Sequence, residues 1–204
     1  MYKNTKIICF DLDGVLINSI KNMSFAWKMT CLKNNIKIPF SRYKKYIGLP
    51  FYKILKNLGV NNNHKKIFIS YDNFSKKKNN LIKIYPSTYT TLKELKKNFI
   101  IGIITSKNKI RTNKILKKLK IKFDFIYTPD DSKRGKPHPD AIIEIKKKFN
   151  VKSTEIIYLG DTKYDLKFSK NSKINFLFAK WGYGSIVGKK VNKIKNISEI
   201  YNFL

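Results

Sequence analysis

The strongest constraint on the fold of this chain is a set of five short apolar runs that do not alternate with polar residues. They are Ile7–Phe10, Ile100–Ile104, Phe123–Tyr127, Ile156–Leu159 and Ile174–Ala179. A strand with one wet face alternates, whereas a run that is apolar at nearly every position suits a strand covered on both faces, as in a parallel sheet between two helical layers. Helical patterns lie between the runs. Ser87 is placed to cap a helix through Leu92 and Leu95. Residues Asn108–Leu119 put Ile115, Leu116 and Leu119 on one side and lysines on the other. Pro139 suits the first turn of a helix whose apolar face is Ala141, Ile142, Ile145 and Phe149. Lys146, Lys147 and Lys148 then form its wet face. The expected class is α/β, with a Rossmann-like, three-layer parallel sheet core.

The stretch between the first two runs is much longer than a crossover needs. Most of it reads as helix: Asn18–Asn34 with Ile20, Phe25, Trp27 and Leu32, Pro50–Leu58, and His64–Asn80 with Ile67, Phe68, Tyr71 and Phe74. Gly59–Asn63 is a turn among them, and Tyr85-Pro86 marks the return. Residues 1–16 and 85–204 are therefore expected to form the core, and residues 17–84 a small inserted helical module.

With 44 basic and 13 acidic residues the formal charge is +31, which raises the possibility of a nucleic-acid partner. The distribution argues otherwise. Only Arg42, Arg111 and Arg134 are arginines, and the lysines are spread along the whole chain. At 42% hydrophobic residues the chain buries a core of its own. Cys9 and Cys31 make no disulfide framework, so reduced thiols and a cytoplasmic location are expected. The N-terminal apolar run is too short for a signal peptide, and no stretch approaches a membrane span. His64 and His138 are too few for a histidine zinc site.

Acidic residues are scarce, so their placement is informative. Asp11 and Asp13 directly follow the first apolar run, and Asp161 and Asp165 follow the fourth. Ligands of open α/β sheets bind at the carboxyl ends of the strands. Four carboxylates gathered there repel one another unless a cation joins them, and an all-oxygen site favours Mg²⁺. Thr105 and Ser106 end the second run, and Lys136 stands beside Pro137 beyond the third. Carboxylates, a cation, a hydroxyl and a lysine are the parts that phosphoryl transfer needs. Singly, each has a plainer role. An aspartate or threonine after a strand caps helices, Lys136 is one of many lysines, and Asp-x-Asp also binds metal in nucleotide-sugar transferases. Gly182, Gly184 and Gly188 do not form a dinucleotide fingerprint, because no clear helix opens on them.

The joint order carries a resemblance. Phe10-Asp11-Leu12-Asp13-Gly14-Val15-Leu16, Ile103-Ile104-Thr105-Ser106, Lys136-Pro137-His138-Pro139-Asp140 and Leu159-Gly160-Asp161-Thr162-Lys163-Tyr164-Asp165 resemble the four motifs of the haloacid dehalogenase (HAD) superfamily. Trp181-Gly182-Tyr183-Gly184 is similar to phosphoglycolate-phosphatase-like members. The resemblance implies a HAD-like fold and residues 17–84 as a C1-type cap. It implies Asp11 as nucleophile, Asp13 as general acid and base, Thr105, Ser106 and Lys136 as phosphate ligands, and Asp11, Asp13 (through its carbonyl), Asp161 and Asp165 (through water or Lys136) around Mg²⁺. Gly48 and Phe51 of the cap would face the substrate. The acid at Asp13 favours phosphate esters over halides, because an alkoxide leaving group needs a proton. A lid implies a small phosphorylated metabolite, of the phosphoglycolate or sugar phosphate class, and disfavours nucleic acid. Leu49-Pro50-Phe51 stands where a phosphohexose mutase has an arginine, which favours a hydrolase over a mutase or phosphotransferase. A basic nucleic-acid binder and a receiver-like phospho-acceptor are the remaining alternatives. The chain departs from the family at Ser87, where glycine is frequent, and at Phe168 and Asn171-Ser172, where small residues are. Asn171 is then expected to take a left-handed helix cap.

Overall fold

The computed structural model describes residues 2–131, 134–186 and 191–204; Gly188 lies outside them. In chain order the strands are β1 (Ile7–Phe10), β2 (Ile17–Asn18), β3 (Lys83–Ile84), β4 (Ile100–Ile104), β5 (Phe125–Tyr127), β6 (Ile156–Gly160), β7 (Asn175–Ala179) and β8 (Asn192–Ile194). The α-helices are α1 (Ile20–Lys33), α2 (Phe40–Lys44), α3 (Phe51–Asn57), α4 (His64–Lys77), α5 (Thr88–Leu95), α6 (Lys109–Leu119), α7 (Asp140–Phe149) and α8 (Lys163–Ser172).

Six strands form one parallel sheet in the order β5-β4-β1-β6-β7-β8. Successive side chains of a strand point to opposite faces. Ile8, Phe10, Ile101, Ile103, Ile157 and Leu159 accordingly pack with Leu92 and Leu95 of α5 and Ile115, Leu116 and Leu119 of α6. Ile7, Cys9, Ile104, Ile156 and Tyr158 pack on the other face with Ala141, Ile142 and Ile145 of α7 and Leu166 and Phe168 of α8. Both faces are covered, which explains the unalternating runs. Lys147 and Lys148 are exposed, and Lys146 is half-buried. Cys9 and Cys31 are free and buried.

Several boundaries differ from expectation for local reasons. Pairing in β5 begins at Phe125 because the Asp124 carboxylate itself accepts the Ile101 N–H at 2.9 Å. β8 offers no apolar run, since only Ile194 of its three residues is buried. Ser87 precedes α5 but makes no side-chain cap; its φ of 60° is the left-handed region where glycine costs least, which accounts for the departure from the family there. Pro139 sits at the N-cap of α7 and not within its first turn. The left-handed residue ending α8 is Lys173, while Asn171 Nδ2 donates to the Pro137 carbonyl at 2.8 Å.

Phe168 is fully buried and meets the Tyr158 ring edge-on at 5.1 Å. Phe168→Ala is expected to cost about 3–5 kcal/mol through the cavity it leaves. The check is the midpoint of urea unfolding, which should fall with its slope unchanged.

α1 to α4 lie between β2 and β3, which pair as a two-stranded antiparallel ribbon. These helices bury their own apolar cluster, centred on Trp27, Tyr43, Leu55 and Tyr71. Leu32 of the expected apolar face of α1 is instead exposed.

Candidate active site

β1 lies between β4 and β6, so the chain leaves the centre of the sheet in both directions from this point. Such a switch point opens a crevice at the carboxyl ends of the strands. Asp11 and Asp13 follow β1, Thr105 follows β4 and Asp161 follows β6. All four are buried. Asp11, Asp161 and Asp165 each offer a carboxylate oxygen within 4.8 Å of the others.

The electrostatics of this trio call for a counter-charge. Burial pushes the Asp11 carboxyl up to about 7, helped by the Asp165 and Asp13 charges and opposed by Lys136. Burial, then Asp165 and Asp11, hold Asp161 well above the usual carboxylate range. Asp161 Oδ2 accepts the Tyr183 N–H at 2.6 Å, but the buried Oδ1 has no hydrogen-bond partner among the described residues. A buried acceptor without a donor is costly. A hard cation shared with Asp11 would satisfy it, so these donors fit Mg²⁺. Asp165 is occupied otherwise. Its Oδ1 accepts from Lys136 Nζ (2.7 Å) and Tyr158 (3.0 Å), and its Oδ2 from the Thr162 amide (3.0 Å) and hydroxyl (2.6 Å).

Lys136 Nζ lies 3.1 Å from Asp11 Oδ1 and 2.8 Å from the Tyr158 hydroxyl. Burial works against its charge, yet Asp11 and Asp165 outweigh it and hold the ammonium above the ordinary lysine range. Thr105 stands at the end of β4, on the wall of the same cavity as Asp11, and accepts the Lys107 N–H at 3.3 Å.

Two of the expected residues make further side-chain contacts. The Asp13 side chain lies outside the acidic trio: Ser19 Oγ donates to its Oδ1 at 2.5 Å, and Lys107 Nζ stands 3.0 Å from its Oδ2. Ser106 lines the same cavity, and its hydroxyl donates to the Gly48 carbonyl at 2.7 Å, joining the sheet domain to the helical insertion. Gly48 and Phe51 do line the cavity that holds Asp11 and Asp13. Arg42, Lys44 and Lys45 are exposed.

Glycine is required twice beside Asp161. Gly14 has φ 86°, and a Cβ there would come within 2.2 Å of Asp161 Oδ2. A Cβ on Gly182 would come as close to the Asp161 Cβ. The tail after β7 thus closes over the acid: Tyr183 binds Asp161 through its amide, and its hydroxyl accepts the Ser19 N–H at 2.6 Å. Trp181 Nε1 donates to the Val15 carbonyl at 3.0 Å.

Ser19, Lys107, Arg111, Tyr158 and the two bonds of Tyr183 were not legible as site residues. Lys107 adjoins Thr105-Ser106, but in so lysine-rich a chain adjacency distinguishes nothing. Burial and then Arg111 lower its ammonium to about 8 against the pull of Asp13. Arg111 reaches from α6 to the insertion, donating to Ser75 Oγ at 2.6 Å with Asp72 at 3.7 Å. Tyr158 sits inside an apolar run, and only its bonds to Lys136 and Asp165 reveal it.

The chain is similar to known proteins. A pyrophosphatase PpaX from Bacillus velezensis is 31% identical over 176 residues, covering 83% of this chain and 81% of that protein. A phosphoglycolate phosphatase from Aquifex aeolicus is 26% identical over 184 residues, 87% of this chain and 86% of its own. The crystal structure of a hydrolase from Pseudomonas syringae superposes with a TM-score of 0.85 at 25% identity, covering 97% of this chain and 96% of that one. The haloacid dehalogenase-like hydrolase model matches residues 8–179, nearly the whole chain from β1 to β7, and this protein belongs to that family.

Proposed function

We propose that the chain is a Mg²⁺-dependent phosphatase that hydrolyses a small phosphorylated metabolite through an aspartyl-phosphate on Asp11. The observation that carries this reading is the buried group of Asp11, Asp161 and Asp165 with Lys136 at 3.1 Å from Asp11 and an unpartnered Asp161 Oδ1. A relative named phosphoglycolate phosphatase supports the ester class and one named pyrophosphatase supports phosphoryl hydrolysis more widely; phosphoglycolate and sugar phosphates are the classes that the family resemblance puts first.

Asp11 attacks phosphorus as the bond to the leaving oxygen breaks, and Asp13 gives that oxygen its proton. Asp13 then takes a proton from water as the water displaces phosphate from Asp11. Ser19 and Lys107 hold the Asp13 carboxylate for both transfers. Thr105 and Lys136 meet the phosphoryl oxygens. Asp11 and Asp161, with the Asp13 carbonyl, would hold Mg²⁺, and Asp165 serves by fixing Lys136. Mg²⁺ would neutralise charge on the phosphoryl oxygens. Residues 17–84 act as a cap that excludes water, held to the sheet domain through Ser106–Gly48 and Arg111–Ser75. No helix among the described residues is long and apolar enough to cross a membrane. The insertion standing over the site disfavours a nucleic acid as the substrate despite the +31 charge.

Hydrolysis of phosphate esters is expected to vanish in EDTA and to return on adding Mg²⁺. Turnover undiminished by exhaustive chelation would overturn the metal assignment.

A further inference from the structure

We propose that the ester cleaved here carries a ring-sized, largely apolar alcohol, and that the cavity between the helical insertion and Asp11 is the pocket for that ring. The inference rests on the phosphatase reading above and moves its substrate away from the phosphoglycolate and sugar phosphate classes.

The cavity measures about 430 Å³ and runs from Asp11 and Asp13 into the insertion. An apolar cavity of about 150 Å³ already accepts benzene. The space therefore exceeds what a phosphoryl group on a two-carbon acid would fill. Its walls away from the acids are Ile47, Leu49, Phe51, Ile54, Phe68 and Tyr71. Phe51 meets Phe68 edge-on at 5.5 Å and lies 4.8 Å from the Tyr71 ring. Aromatic faces and edges set at such angles suit a flat or saturated ring.

The buried cations that line the cavity, Lys107 and Arg111, both have partners within the protein. Lys107 is paired with Asp13, Arg111 is bound to Ser75 beside Asp72, and His64 Nε2 lies 2.6 Å from the Val60 carbonyl. Lys65 is solvent-exposed. A second anion, such as the carboxylate of phosphoglycolate or the distal phosphate of pyrophosphate, would lose its hydration against apolar walls and would have to compete with Asp13 and Ser75 for the buried cations Lys107 and Arg111. A hexose would leave several hydroxyls unpaired in the same place. An apolar ring gains from burial there, and every contact it makes replaces one with water.

The test uses the full chain with Mg²⁺ and compares kcat/KM for phenethyl phosphate, ethyl phosphate, a hexose phosphate, phosphoglycolate and pyrophosphate. Phenethyl and ethyl alcohols are leaving groups of similar acidity, so their ratio reports the pocket and not the chemistry. Phenethyl phosphate is expected to exceed ethyl phosphate by about tenfold or more, and also to exceed the three polar substrates. Phe68→Ala should reduce the phenethyl-to-ethyl ratio by about tenfold, and Phe68→Leu, which keeps the side chain apolar, by less. Equal or better turnover of ethyl phosphate, or a preference for phosphoglycolate, pyrophosphate or hexose phosphate, would overturn the apolar pocket and leave the phosphatase standing. Failure to cleave any of the five would overturn the phosphatase reading and this inference with it.

Discussion

Asp11→Asn is expected to abolish turnover, by about 10⁴-fold or more in kcat, while the protein stays folded. An amide matches a carboxylate in shape but not in nucleophilicity, and it cannot share a cation with Asp161 as a charged ligand. The fold should tolerate the change because the native carboxylate is an electrostatic burden: it is buried, and its pKa is raised to about 7 by burial and by neighbouring carboxylates. Removing that charge relieves repulsion from Asp165 and Asp13, and it also removes one partner of Lys136, which keeps Asp165 at 2.7 Å. Thermal unfolding of the variant should stay close to the parent's. Near-normal hydrolysis of a phosphate ester by Asp11→Asn would remove Asp11 from the nucleophile's role.

Lys136→Met is expected to impair both stability and activity. Lys136 is the buried cation between Asp11 and Asp165, and it also accepts no substitute from nearby, since Lys107 is committed to Asp13. Removing one partner of a buried ion pair leaves the other charge unpaired, at a cost of about 3–5 kcal/mol. Methionine fills the volume of the lysine stem, so the loss reports charge more than packing. Denaturant unfolding should show the fall, and phosphatase activity should fall with it. The double variant Lys136→Met with Asp11→Asn should be less destabilised than Lys136→Met alone, because one of the two stranded carboxylates is then neutral. A double variant no more stable than the single one would mean that the cost lies elsewhere.

The two predictions separate features that were visible in the linear chain from features that were not. Asp11, Asp13, Asp161 and Lys136 could be singled out because acids are rare here and these stand at strand ends, where backbone geometry gives side chains little choice of position. The same reasoning located β1 and β4 to the residue and found three of the insertion's four α-helices; α2, only five residues long, is too short to show a period. It gave no sign that the Ser106 hydroxyl meets the Gly48 carbonyl, because that partner is 58 positions away. Nor could it show that Tyr158 and the Thr162 amide and hydroxyl join Lys136 in binding the two oxygens of Asp165. Leu32 read as core because it is apolar on a helix, yet nothing covers that side of α1.

Local signals determined the periodicity of strands and helices, the positions where the chain can turn, and the few acids that follow strands, because each depends on neighbours within a turn or two. Which groups meet was decided only by the packed sheet. Placing β1 between β4 and β6 brings Thr105, Lys107 and Asp161 beside Asp11 and Asp13, and folding the insertion over that edge adds Ser19 and an apolar wall to the acids. Those contacts join residues far apart in the chain, and their energies exist only when water has been excluded between them.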